Sequence, residues 1–173
     1  MILKDLGEFG NDLISKTYEI NSDFNNIDLE LEEADLNIYL SNDGINKAVC
    51  LEKEKITFSV SVVDNTLKIE ENNEKFIEIM NFSNPEINLF LVKDTFEFLN
   101  IEYDTGDINI PNHFTFENVA IEGDTGDTIF SAKVNNDLDI EVSTGDISIY
   151  QSYLKNVKLE ASTGDINVIE SNI

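Results

Sequence analysis

Along most of this chain apolar and polar residues alternate, and from residue 99 onward the alternation recurs in step with a short turn sequence. The tripeptide Thr-Gly-Asp stands at Thr105-Gly106-Asp107, Thr125-Gly126-Asp127, Thr144-Gly145-Asp146 and Thr163-Gly164-Asp165, so its glycines lie 20, 19 and 19 residues apart. A period of 2 puts successive side chains on opposite faces of a strand. Aligned on the glycines, the units predict five inward columns: Leu99/Val119/Leu138/Val157, Ile101/Ile121/Ile140/Leu159, Tyr103/Gly123/Val142/Ala161, Ile108/Thr128/Ile147/Ile166 and Ile110/Phe130/Ile149/Val168. Eighteen of these twenty positions are apolar or aromatic, the exceptions being Gly123 and Thr128. One face is core and the other meets water.

Upstream of each unit a third side begins, since Thr95-Phe96-Glu97-Phe98-Leu99 matches Thr115-Phe116-Glu117-Asn118-Val119. Three short sides per 19–20 residues describe a coil, and like residues recurring in register suit parallel ladders about 4.8 Å apart. The fold class expected is therefore all-β, a β-solenoid or β-helix-like stack of short strands. A row of two-residue hairpins in an antiparallel sandwich is the rival, but it has no need of the third side. The first half reads as diverged copies of the unit. Ile27 to Ile38 keeps the alternation and Asp35, with Ala34 in place of the glycine, and Asn65 suits a left-handed turn. Ile87 to Leu91 forms a further strand, and Glu71 to Pro85 forms a long loop. Residues 17–173 are expected as one domain. Residues 1–16 are expected as a weakly ordered arm, in which Leu3 to Ile14 has the pattern of a short amphipathic helix weakened by Gly7 and Gly10.

Charge narrows the partners. The 173 residues carry 35 acidic and 11 basic side chains, a net charge of -24. Nucleic-acid and anionic-lipid affinity rest largely on lysine and arginine, so neither partner is expected. No signal-peptide pattern or membrane-length apolar run occurs, which reads as a cytoplasmic chain as written, with no membrane insertion. Envelope association stays open through a trimmed leader or a partner. The single cysteine, Cys50, cannot form an internal disulfide and reads as a small core filler. The single histidine, His113, reads as a surface turn residue.

The four Thr-Gly-Asp turns, the lead-in Val92-Lys-Asp-Thr-Phe-Glu-Phe-Leu-Asn-Ile101 and the element Val62-Val-Asp-Asn-Thr-Leu-Lys-Ile69 resemble a widespread bacterial family of adhesin-like proteins of unknown function, whose fold is called a toastrack domain. The resemblance spans about residues 17–173. It implies stacked β-strands and a role at the cell envelope or in its stress response. No catalytic residue is attached to that family, so none is implied here.

Candidate chemistry is confined to carboxylates. Asp104-Thr105-Gly106 and Asp124-Thr125-Gly126 spell the D-T-G of aspartic proteases, but the other two copies read Ser143-Thr-Gly and Ser162-Thr-Gly, so turn chemistry accounts for the motif. In that turn, Gly106, Gly126, Gly145 and Gly164 supply positive φ and the residue before the threonine is expected to accept from backbone N–H groups. Asp107, Asp127, Asp146 and Asp165 form one acidic column, and Glu102, Glu122, Glu141 and Glu160 form another on the outward face. Unit charges at that spacing repel by roughly 0.9 kcal/mol even in water. The columns therefore either splay into solvent or collect calcium or a basic partner surface. Tyr150, Tyr153 and Phe114 either line an exposed side or pack into the core. The reading with most support is a non-enzymatic binding or scaffolding module without cofactor, recognising a protein or glycan. The alternatives are a β-helix carbohydrate-active enzyme using face carboxylates and a calcium-dependent structural protein. The last coil lacks a cap, which predicts a homodimer through the C-terminal coil.

Overall fold

The computed structural model describes residues 4–9 (as backbone), 13–53, 55–73 and 84–173. In chain order the strands are β1 (Lys4–Phe9), β2 (Leu13–Glu19), β3 (Asn26–Leu31), β4 (Asp35–Leu40), β5 (Lys47–Glu52), β6 (Ile56–Val63), β7 (Thr66–Asn73) and β8 (Glu86–Leu91). They continue with β9 (Thr95–Thr105), β10 (Ile108–Ile110), β11 (Thr115–Thr125), β12 (Thr128–Phe130), β13 (Lys133–Thr144), β14 (Ile147–Tyr150), β15 (Asn156–Thr163) and β16 (Ile166–Ile169). Two sheets result, ordered β1-β2-β5-β8-β4-β10-β12-β14-β16 and β15-β13-β11-β9-β3-β7-β6.

The coil repeat is a parallel stack, as the in-register columns require. Val119 lies between Leu99 and Leu138, Ile121 between Ile101 and Ile140, and Thr128 between Ile108 and Ile147. Each coil runs up a long strand of one sheet, turns at Thr-Gly-Asp and returns along a short strand of the other. The inward side chains of both sheets form one core running the length of the stack. The third side carries an aromatic column in which Phe96 stacks on Phe24 and Phe116, both at 5.9 Å between centroids. Cys50 is fully buried, as its apolar setting predicts, and burial pushes its thiol up.

Stack order departs from chain order at one place. The coil β3–β4 pairs with β9–β10 on one side and with β7–β8 on the other. The chain therefore lays down residues 26–40, adds a coil beneath, and crosses back through residues 92–94 to build upward. Lys93 pins this crossing. Its ammonium donates to the Phe24 carbonyl and to Asn25 Oδ1, and lies 4.7 Å from the Phe96 ring centre. Beneath the lowest coil the sheets end in antiparallel strands, β6 on one and β5, β2 and β1 on the other.

Three local expectations are revised. Residues 4–9 form a strand paired antiparallel with β2, and residues 13–19 a second one, so the helix expected over Leu3 to Ile14 is absent from the described residues. Pairing with β5 supplies the backbone partners that a helix of that length would have had to find within itself. Glu71 to Asn73 end strand β7 rather than opening a loop, and residues 74–83 of the expected loop lie outside the described residues. Asn65 is left-handed, at φ 62°, but together with Asp64 at φ 48° it makes the tight β6–β7 hairpin and not a coil turn.

Candidate functional site

The turns explain both the glycine and one of the acidic columns. Gly106, Gly126, Gly145 and Gly164 have φ between 134° and 142°. A Cβ on Gly126 would stand 1.9 Å from the Gly106 carbonyl oxygen, and one on Gly145 2.0 Å from that of Gly126. Glycine is thus demanded twice over, by its backbone angle and by the coil beneath. Among the described residues no Thr-Gly-Asp turn lies under Ala34, and a side-chain carboxylate meets it instead. There the Glu71 carboxylate accepts from the backbone N–H of Glu32 at 2.8 Å, Glu33 at 3.0 Å and Ala34 at 3.1 Å. Burial pushes the Glu71 carboxyl up, against the pull of those three donors.

The aspartate after each glycine is the acceptor, not the residue before the threonine. Asp107 N–H donates to Asp35 Oδ1 at 2.9 Å, and Asp127, Asp146 and Asp165 each donate to the aspartate one coil below at 2.8 Å. The column is therefore five aspartates long, and four of its carboxylates are tied to the backbone of the next coil. These charge-assisted bonds offset the repulsion along the column. Asp104 and Asp124 are exposed on neighbouring strands, and Asp124 accepts a 3.5 Å contact from Ser143 Oγ. They do not form the shielded dyad of an aspartic protease.

The glutamate column is also longer than the repeat alone indicates. Glu70, Glu30, Glu102, Glu122, Glu141 and Glu160 are consecutive register partners across six strands. Glu30 and Glu70 stand outside the four-residue column expected from the Thr-Gly-Asp repeat, although Ile27-Asp-Leu-Glu30 and Leu67-Lys-Ile-Glu70 share the apolar-x-apolar-Glu pattern of Leu99-Asn-Ile-Glu102. Two lysines stand in the adjacent column, one near each end. Lys68 pairs with Asp28 at 3.1 Å, while Lys158 contacts Glu141 closely and reaches Asp139 and Glu160 at 3.5 Å. A shallow polar hollow of about 90 Å³ opens among Glu122, Asp124, Glu141, Ser143, Glu160 and Ser162. Among the described residues no three acidic, histidine or thiol groups converge where a metal ion would sit.

The remaining candidates divide cleanly. His113 is an exposed turn residue. Phe114 belongs to the core beside Phe96 and Phe116, whereas Tyr150 and Tyr153 are exposed. On the outward face of the nine-stranded sheet, Asn88, Asn37 and Asn109 stand side by side, and next to them Tyr39 stacks on Phe90 at 5.2 Å. No helix among the described residues is long and apolar enough to cross a membrane.

No curated protein matches this chain. Among solved structures, a candidate cell adhesion protein from Clostridium sporogenes is 14% identical, with 92% of this chain and 100% of that one covered at a TM-score of 0.64. A candidate adhesin from Parabacteroides distasonis is 12% identical over 94% of this chain and 81% of that one, at a TM-score of 0.44. A further candidate adhesin, from Bacteroides fragilis, is 15% identical over 92% and 98%, at 0.38. At these identities the first likeness shows a shared fold. The Toastrack DUF4097 family, by contrast, is matched across residues 24–173, through every complete coil and every Thr-Gly-Asp turn, and the chain belongs to that family.

Proposed function

We propose that this chain is a non-enzymatic binding or scaffolding module that serves the bacterial cell envelope and meets a protein or glycan partner through its sheet faces. The observation that carries the reading is the use made of the turn aspartates. Four of the five accept backbone N–H bonds from the neighbouring coil, so these carboxylates are committed to holding the stack. What is left to meet a partner is a pair of repetitive faces, one bearing six glutamates in register and the other an asparagine row beside stacked aromatics. The name carried by the Clostridium sporogenes protein agrees with a surface-binding role.

A screen against glycans and peptidoglycan fragments, run with product analysis on every ligand that binds, tests the reading. Saturable binding without a new product is expected. A product accumulating with time overturns it in favour of a carbohydrate-active enzyme.

A further inference from the structure

The two ends of the stack are unlike. At the lower end the sheets finish in the antiparallel strands β6 and β1, and the β6 residues Ile56, Phe58 and Val60 are buried, whereas at the upper end the sheets finish in the parallel strands β15 and β16, which take no further strand among the described residues. Their inward side chains show it. Ile147 and Ile149 are 0% exposed, while their register partners one coil higher, Ile166 and Val168, are each 43% exposed. Val157, Leu159 and Ala161 are likewise only partly covered. Two adjacent open edges with apolar inward residues are a template for strand addition.

The sequence of β15 selects what is added. Its inward residues are Val157, Leu159 and Ala161, and its outward residues are Asn156, Lys158, Glu160 and Ser162. In an antiparallel pair, residues directly opposite each other must share a face, so only registers that set inward on inward preserve the core. Centring the pair on Lys158 sets lysine against lysine, and centring it on Glu160 sets glutamate against glutamate. Centring it on Leu159 sets Lys158 opposite the partner's Glu160 and Glu160 opposite the partner's Lys158, with Val157 on the partner's Ala161. Opposite charges directly across a ladder attract and like charges repel. For a chain of net charge -24 this local complementarity distinguishes one self-pairing from the others.

We propose that β15 and β16 pair antiparallel with the same strands of a second copy about a two-fold axis through Leu159, joining two stacks end to end into a closed dimer. A two-fold contact is self-complementary and ends there.

Sedimentation velocity over about a hundredfold range of concentration reads the association. The wild-type chain is expected to form a dimer and nothing larger. Lys158→Glu alone and Glu160→Lys alone each set like charges across the pair twice over, and each is expected to weaken the dimer by about tenfold or more. An equimolar mixture of the two variants regains both attractive pairs, so a heterodimer of wild-type strength is expected. Circular dichroism checks that each variant is folded. Lys158 also holds Glu141 and Asp139 within its own chain, so if Lys158→Glu does not fold, the comparison passes to Glu160→Lys and the double exchange Lys158→Glu/Glu160→Lys, which is expected to dimerise where the single variant does not. A wild-type monomer throughout, a species that keeps growing with concentration, single variants that dimerise normally, or an exchange that fails to restore the dimer would each overturn the proposal.

Discussion

The Tyr103 hydroxyl lies 3.1 Å from Thr128 Oγ1, and the ring that carries it fills the place where Gly123 would bear a side chain. The two exceptions in the twenty inward positions are therefore one feature. A Cβ on Gly123 would stand 2.0 Å from Tyr103 Cζ, so the tyrosine leans under the next coil and meets a hydroxyl there. Gly123→Val should cost about 1–3 kcal/mol by overpacking. Combined with Tyr103→Val the cost should largely vanish, because Val142 already occupies the same column one coil higher. A double-mutant cycle in urea checks this, and additive costs would show that the two positions do not share the space.

Alkaline pH probes the same tyrosine. Burial, with the charges of Asp107 and Asp127 adding to it, pushes the Tyr103 phenol up, and burial with the Glu52 carboxylate beside it pushes Tyr18 up further. Once unfolded, each phenol ionises near pH 10, about its ordinary value. A raised folded pKa means that the native state holds the proton longer. This contribution to stability is complete below about pH 10 and is lost as the pH rises through the folded values. Two of the five tyrosines should thus ionise late at 295 nm, in step with loss of circular dichroism. Tyr103→Phe should remove part of the alkaline slope, and an unchanged slope would count against the assignment.

The turn aspartates act as acceptors, and an amide oxygen can replace one carboxylate oxygen. Asp127→Asn should leave the melting temperature near that of the wild type, since it keeps the bond to the Asp146 N–H and removes one charge from the column. Asp127→Ala should cost about 1 kcal/mol or more, the usual price of a backbone donor left without its acceptor. Equal melting of the two variants would contradict the role.

Gly145→Ala meets both an unfavourable φ of 142° and a carbonyl oxygen 2.0 Å from the new methyl carbon. The loss should exceed the approximately 1 kcal/mol that compatible glycine replacements gain, and with the opposite sign. Ala34→Gly, at the matching slot over Glu71, should cost only about 0.5–1 kcal/mol in backbone entropy. Chemical unfolding of the pair distinguishes a clash from a general preference for glycine.

Ile140 is fully buried between Ile121 and Leu159, and its neighbour Glu141 faces outward. Ile140→Asp places an unpaired carboxylate in the core and should abolish cooperative folding. Glu141→Ala removes a partly exposed partner of Lys158 and should change stability by less than about 1 kcal/mol. Comparable melting of both variants would mean that the two faces had been assigned wrongly.

The coils from Leu99 upward are legible because they stack chiefly on coils of the same kind. Gly126, Gly145 and Gly164 each stand over the glycine one coil below, and most inward apolar residues and every outward glutamate meet their own like, so the constraint recurs in the sequence. Below residue 95 that condition fails. Ala34 stands over a carboxylate instead of a carbonyl, so the glycine mark disappears, and Glu71 reads as an ordinary charge at the end of a strand. The placing of β7–β8 beneath β3–β4 rests on pairings between segments about 40 to 50 residues apart, such as Leu29 with Ile69 and Leu36 with Ile87, which no local pattern encodes. Of the candidate site, the four repeated glutamates and the turn aspartates were visible as columns. The hydrogen bonds that tie the aspartates to the next coil were not, because they depend on which way a carboxylate turns.

The inverted place of residues 26–40 in the stack has a consequence for assembly. A ribosome releases β3 and β4 before either of the coils that flank them, so this pair must wait with both edges open while the chain continues. Growth then runs outward in two directions from a layer made early, and a simple zipper from the first residue to the last is not available. Contacts of long sequence separation slow folding. The slowest step should therefore be the docking of residues 66–73 and 95–105 on opposite sides of β3, and the time before it is complete is when this protein is most exposed to mispairing with another chain.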